Sequence, residues 1–150
     1  MQSLIKSILR PLLPQPILTA WRTTRLQKIK AAWEQQGSPA PAPHAVKQLT
    51  IRDYQQRYHH TILVETGTYM GEMVEAQKSR FKKVYSIELG KDLFRKALER
   101  FQKDPNVFIR QGDSGKVLPE ILKEIRSEEH TSELQSQFRI FVCRLLLEKK

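Results

Sequence analysis

A chain of 150 residues suits one domain with a single core and is too short for two. With 39% hydrophobic and 28% charged residues, six Gly, eight Pro and one Cys, it has a globular composition that excludes collagen-like repeats, a disulfide scaffold and a multi-cysteine zinc site. The formal charge of +10 predicts weak attraction to anionic surfaces. No apolar run approaches the ~18 residues needed to cross a bilayer. Pro11, Pro14 and Pro16 interrupt the apolar start, so the pattern of a secretory signal is missing and a cytoplasmic location is expected.

Seven of the ten excess positive charges fall in residues 1–60. Residues 1–36 read as a basic helical extension. Its best helix runs from Ile17 to Gln35, with Trp21, Leu26, Ile29 and Trp33 near one face and Arg22, Arg25, Lys28 and Lys30 around them. Basic and aromatic residues on one helix suit weak contact with an anionic surface, which would make the protein peripheral to a membrane. A plain helix packed on the next domain has the same pattern. Residues 37–45 form a Pro-rich linker, because alternating Pro at 39, 41 and 43 blocks both helix and sheet. A helix is then predicted over Thr50–Tyr58. His59 and His60 lack a third ligand and read as surface residues, so no metal is expected.

Residues 61–125 carry the clearest pattern. Short apolar runs at Thr61–Val64, Val84–Ile87 and Val107–Ile109 alternate with helix-like stretches at Gly71–Arg80, Lys91–Gln102 and Gly115–Ile125. Strands alternating with helices of this length are the sequence form of parallel βαβ units, and three stand in succession. The predicted fold is therefore an α/β Rossmann-like, three-layer αβα arrangement around a parallel sheet. It is incomplete, comprising the first three βα units, with an N-terminal helical extension.

Ligands of open α/β sheets sit beyond the carboxyl ends of the strands. The first strand runs into Glu65-Thr66-Gly67-Thr68-Tyr69-Met70-Gly71. Gly67 would permit a sharp turn close to a ligand, and Gly71 would let the next helix pack tightly. The second ends in Glu88, 21 residues after Gly67, where a carboxylate can accept from two ribose hydroxyls. The third leads into Gly112-Asp113-Ser114, where Asp113 can accept from an exocyclic amine and also cap a helix. Each feature has a plain structural reading, and their recurrence at three consecutive strand ends is what points to a site. A dinucleotide site wants G-x-G-x-x-G to cradle a pyrophosphate. Tyr69 takes the middle glycine position here, and Glu65 would repel phosphate while suiting an ammonium or sulfonium. An adenosyl ligand with a cationic amino-acid part, S-adenosylmethionine, fits better than a nicotinamide dinucleotide.

Val64-Glu65-Thr66-Gly67-Thr68-Tyr69-Met70-Gly71, Tyr85-Ser86-Ile87-Glu88-Leu89 and Gln111-Gly112-Asp113-Ser114 resemble the first three motifs of class I S-adenosylmethionine-dependent methyltransferases. They are most similar to the group whose first motif reads V-E-T-G-T-x-x-G. The similarity covers about residues 61–125 and departs at Tyr69 from the commoner D-x-G-x-G-x-G. The resemblance implies that Glu65 and Gly67 contact the methionine end of the cofactor, with Thr66, Thr68 and Gly71 also cofactor-binding. Glu88 would hold the ribose, and Asp113 and Ser114 would meet the adenine. It implies direct methyl transfer to an acceptor of unidentified class, with catalytic residues unknown because acceptor-side groups follow the fourth strand. A nicotinamide-dependent oxidoreductase, and a non-enzymatic basic module binding membrane or nucleic acid through residues 1–36, are the other two readings the residues allow.

After Ile125 the pattern fails. Arg126–Ser136 is polar, lacks strand character and resembles a translated sequencing-library adapter. Val142–Lys150 resembles its later part, and Gln137–Phe141 would be its variable index. Residues 126–150 are therefore expected to be a non-native tail, leaving 46–125 as the first half of the domain, inactive as it stands and of low stability. On that view Glu128, Glu129, His130 and Cys143 carry no function. Phe138–Leu147 is nonetheless apolar enough to form a strand beside the first one, whose open edge exposes a row of backbone groups.

Overall fold

The computed structural model describes residues 14–131 and 140–144. The chain divides into two compact units, Met1–Leu49 and Thr50–Lys150. The described residues of the first are mainly helical. Helix α1, Gln15–Gln35, carries Pro16 in its first turn, where the amide that proline lacks would have no partner within the helix. It ends as Gly37, at φ 81°, turns the chain. The Trp33 indole donates to the Pro39 carbonyl at 2.8 Å, so the end of α1 is tied to the Pro-rich segment. Helix α2 runs His44–Tyr58, six residues earlier than its apolar spacing suggested. Its first turn is anchored on Pro43, whose carbonyl accepts from the Val46 and Lys47 amides.

The second unit is the α/β layer. Its elements are β1 (Ile62–Thr66), α3 (Glu72–Gln77) with a 3₁₀ turn Lys78–Arg80, β2 (Lys83–Glu88), α4 (Lys91–Phe101), β3 (Val107–Gln111), α5 (Ser114–Thr131) and β4 (Ile140–Arg144). All pairings are parallel, in the order β3-β2-β1-β4. The three βα units expected from the sequence are present, and the fold is an α/β Rossmann-like layer with an N-terminal helix. The slot beside β1 is filled by residues 140–144, within the apolar stretch predicted to take it; Phe138, Arg139 and residues 145–147 lie outside the described residues.

Strand residues alternate between two apolar layers. Leu63, Val84 and Ile109 pack with Ile51 of α2, Met73 and Val74 of α3, and Ala97 and Phe101 of α4. Ile62, Val64, Tyr85 and Ile87 face Ile121 and Ile125 of α5. Central parallel strands are covered on both sides, which is why β1 and β2 read as unbroken apolar runs. Helix α5 continues six residues beyond Ile125, so the first part of the polar run is helical; residues 132–136 lie outside the described residues. Among the described residues no helix is long and apolar enough to cross a membrane.

All three strands expected from the sequence run past their apolar stretches, β3 through Arg110 and Gln111. β1 extends through Glu65 and Thr66, and β2 includes Glu88. The ladder, not side-chain polarity, sets these ends: Glu65 pairs with Ser86 and Thr66 with Ile87. The acids expected at the strand ends are thereby placed on the sheet itself.

Candidate functional site

The carboxyl ends of β1, β2 and β3 are stitched together by backbone hydrogen bonds. The Ile87 carbonyl accepts from the Gly67 and Thr68 amides at 2.9 and 3.2 Å. The Glu88 carbonyl accepts from the Gly112 amide at 2.9 Å. The loop after β1 therefore lies over the end of β2, and the loop after β3 adjoins it. The first loop can take this path because Gly67 sits at φ 104° and Gly71 at φ 72°, a region that L side chains enter only with strain. Gly71 also lies against α4: a Cβ there would stand 2.7 Å from Phe101 Cε2. Tyr69, at φ 48°, is a bulky residue in the same strained region. It is held by its amide, which donates to Glu88 Oε2 at 2.7 Å. Arg100 of α4 also donates to the neighbouring Met70 carbonyl.

Glu65, Ser86 and Glu88 lie on the sheet face covered by α3 and α4, the face of Leu63 and Val84. Glu65 is completely buried. Its Oε2 accepts from the Ser86 hydroxyl at 2.7 Å, and Ser86 Oγ lies 2.7 Å from the Thr68 hydroxyl. Its other oxygen, Oε1, is buried with no partner among the described residues. Burial pushes the Glu65 carboxyl up to about 7; the Ser86 hydrogen bond opposes this and the charge of Glu88 adds to it. Glu88 is also buried and accepts twice from backbone, from Tyr69 through Oε2 and from the Gly90 amide through Oε1 at 2.9 Å. Each of those oxygens retains a second lone pair.

The structure thus brings Glu65, Gly67, Thr68 and Glu88 into one cluster at two adjacent strand ends. Gly71 closes the same loop from its far side. Thr66 stands apart: strand alternation puts it on the face of Ile62 and Val64, and its buried hydroxyl has no partner among the described residues. Asp113 is exposed and caps α5, its Oδ1 accepting from the Gly115 amide at 2.7 Å. Ser114, half-buried, opens that helix. Both adjoin the cluster through the Gly112–Glu88 backbone bond, while the Asp113 carboxylate is turned to its own helix. Ser86 was missed as a site residue. Its signal was available: it is the one aliphatic hydroxyl within the apolar run Val84–Ile87, at the ladder position opposite Glu65. Among the described residues no group of three or more His, Cys, Asp or Glu could hold a metal ion.

The loop amides carry a chemical consequence. Those of Gly67, Thr68, Tyr69 and Gly71 are all donated within the protein, to Ile87, to Glu88 and to the Thr68 carbonyl. A pyrophosphate cradle needs such amides free and pointing at the ligand. Here these four are committed, and the carboxyl groups beside them, Glu65 and Glu88, are buried. The two carboxyl groups can accept hydrogen bonds and hold positive charge, and these four amides are not offered to a phosphate.

No family model matches the sequence, and no curated protein does. Solved structures with a similar fold include the O-methyltransferase TomG from Streptomyces achromogenes in complex with SAM, at 17% identity and TM-score 0.48 over 78% of this chain and 52% of that one. An O-methyltransferase from Bacillus cereus in complex with SAH matches at 13% identity and TM-score 0.44, over 95% and 60%. The methyltransferase domain of bacterial CtHen1-C matches at 9% identity and TM-score 0.40, over 45% and 39%. The chain spans between 39% and 60% of the length of these three proteins.

Proposed function

We propose that residues 46–125 are the cofactor-binding half of an S-adenosylmethionine-dependent methyltransferase of class I. The observation that carries this reading is the pairing of a buried carboxyl, Glu65, one of whose oxygens has no partner among the described residues, with a loop in which the Gly67, Thr68, Tyr69 and Gly71 amides are committed internally. An adenosyl ligand with an amino-acid part supplies an ammonium that donates and a sulfonium that adds positive charge beside these carboxyl groups, and it brings no phosphate. The three motifs at the strand ends support the same reading independently.

On this reading Glu65, with Gly67 and Thr68, receives the cationic amino-acid end. Glu88 accepts from the ribose hydroxyls with the lone pairs left over from Tyr69 and Gly90. Asp113 and Ser114, beside Glu88, lie toward the adenine. Gly71 keeps the loop seated on α4, and Thr66 contributes through the strand backbone rather than through its hydroxyl. The bound cofactor would supply an already activated methyl group, so the protein's work is to orient it, exclude water and align an acceptor. We place the acceptor half of the site outside residues 46–125 and assign no catalytic residue. We likewise propose that residues 1–36 are a basic extension making weak anionic contacts, that 37–45 are a linker whose last two residues already belong to α2, and that 126–150 are a non-native tail whose β4 pairs with β1 opportunistically. A cytoplasmic location, with any membrane contact peripheral, fits this organisation.

Calorimetric titration of the full chain with S-adenosylmethionine tests the proposal. One saturable site is expected, lost in Glu88→Ala and with no matching site for NAD. Absence of binding, or preferential binding of NAD, refutes it.

A further inference from the structure

Glu65, Ser86 and Thr68 form a buried series of three oxygen-bearing side chains ending at the loop. Glu65 and Ser86 are fully buried and Thr68 nearly so, with both links at 2.7 Å. Two arrangements of hydrogens satisfy this series. With Glu65 ionised, Thr68 donates to Ser86 and Ser86 donates to Glu65. With Glu65 protonated on Oε2, the series runs the other way: Glu65 donates to Ser86, Ser86 to Thr68, and the Thr68 hydrogen points out of the series toward the loop.

We infer that Ser86 and Thr68 are positioning residues that set the charge of Glu65, holding it as a carboxylate when a cationic ligand group stands at its free oxygen and reversing to accommodate its proton when none does. This deepens the functional reading above, because it takes the ligand to be positively charged. The balance is simple. A protonated Glu65 and a cationic ligand give a carboxylate–cation pair and one proton released to water. Each hydroxyl in between gives one proton and takes one, so neither changes its charge.

The surroundings favour this coupling. A buried carboxylate beside another carboxylate is costly unless a cation or donors compensate it. Glu88 on β2 is the charge that acts on Glu65. On the covering helices, Glu72 and Glu75 of α3 and Asp92, Arg95 and Arg100 of α4 are exposed. Arg52 of α2 is half-buried and its charge acts on Arg80. In the β1–β4 ladder Cys143 is the residue opposite Glu65. The Ser86 hydroxyl is therefore the donor that favours the ionised form in the ligand-free protein.

The decisive measurement is a carboxyl carbon-13 NMR titration of Glu65 in the full, ligand-free chain. Its midpoint is expected near 7, moving upward in Ser86→Ala as the carboxylate loses its donor. The shift in Thr68→Val should have the same direction and be smaller. Calorimetry with S-adenosylmethionine in buffers of different ionisation heat should show release of about half a proton per site at pH 7, falling to none at pH 9. A wild-type midpoint in the ordinary carboxylate range overturns the inference, whether or not either variant folds. So does a midpoint that neither variant moves. If the cofactor fails to bind while Glu65 titrates as expected and responds to Ser86→Ala, the functional reading falls and the relay stands. If the cofactor binds without releasing a proton at pH 7, the relay falls and the functional reading stands.

Discussion

Replacing Gly71 with Ala isolates how the cofactor loop is held on α4. Two penalties meet at this position. The residue sits at φ 72°, where an L side chain costs roughly 1–2 kcal/mol. Its Cβ would also stand 2.7 and 2.9 Å from the Cε2 and Cζ carbons of Phe101. That ring is itself buried in the core with Ala97, Met73 and Val74, so it has little room to yield, and overpacking of this kind costs about 1–3 kcal/mol. Lower entropy of the unfolded Ala chain offsets about 0.4–1 kcal/mol. The net loss is about 2–4 kcal/mol, a large part of the ~5–15 kcal/mol that holds a typical domain together. Urea denaturation of the full chain measures it directly. With a slope of about 2 kcal/mol per molar, the midpoint should fall by about 1–2 M. Phe101→Leu provides the second arm of a double-mutant cycle. In that background Gly71→Ala should keep the backbone part of the penalty and lose most of the steric part, leaving about 1 kcal/mol. A loss within 0.5 kcal/mol for Gly71→Ala alone, or an equal loss with and without the ring, refutes the account of why glycine stands there.

Two further expectations concern individual carboxylates. The folded-state value of Glu65, about 7 against an ordinary 4.5, means that the folded protein binds this proton more tightly than the unfolded chain. Its contribution to stability is therefore complete below about pH 4.5 and is lost as pH rises through about 7, a difference of about 3 kcal/mol. Urea midpoints at pH 5 and pH 8 should differ accordingly in the wild type, and Glu65→Gln should remove most of that difference; an unchanged pH dependence in the variant would contradict the assignment. Asp113→Ala should destabilise by about 1 kcal/mol through loss of the cap on Gly115, with Asp113→Asn milder because its side-chain oxygen can still accept. If Asp113 also meets the adenine, the Ala variant weakens S-adenosylmethionine binding beyond what its stability loss explains, which calorimetry at saturating folded protein can separate.

The sequence by itself determined the βα alternation and the level at which a ligand would lie. Those follow from local chemistry: runs such as Ile62–Val64 and Val84–Ile87 have to be covered on both faces, and Gly67 and Gly71 permit a turn that other residues resist. It also marked Glu65, Glu88 and Asp113 as strand-end acids. What it could not decide was which face each occupies and what each touches. Whether Glu65 ends the strand or belongs to its ladder depends on pairing with Ser86, a residue 21 positions away in the chain. Local polarity ended the apolar run at Val64, while ladder hydrogen bonding extended the strand and buried the acid. The same pairing sent Thr66 to the opposite face and committed the Tyr69 amide to Glu88. Tertiary structure alone thus turned three similar-looking acids into a buried carboxyl with a free oxygen, a loop-binding carboxylate and a helix cap.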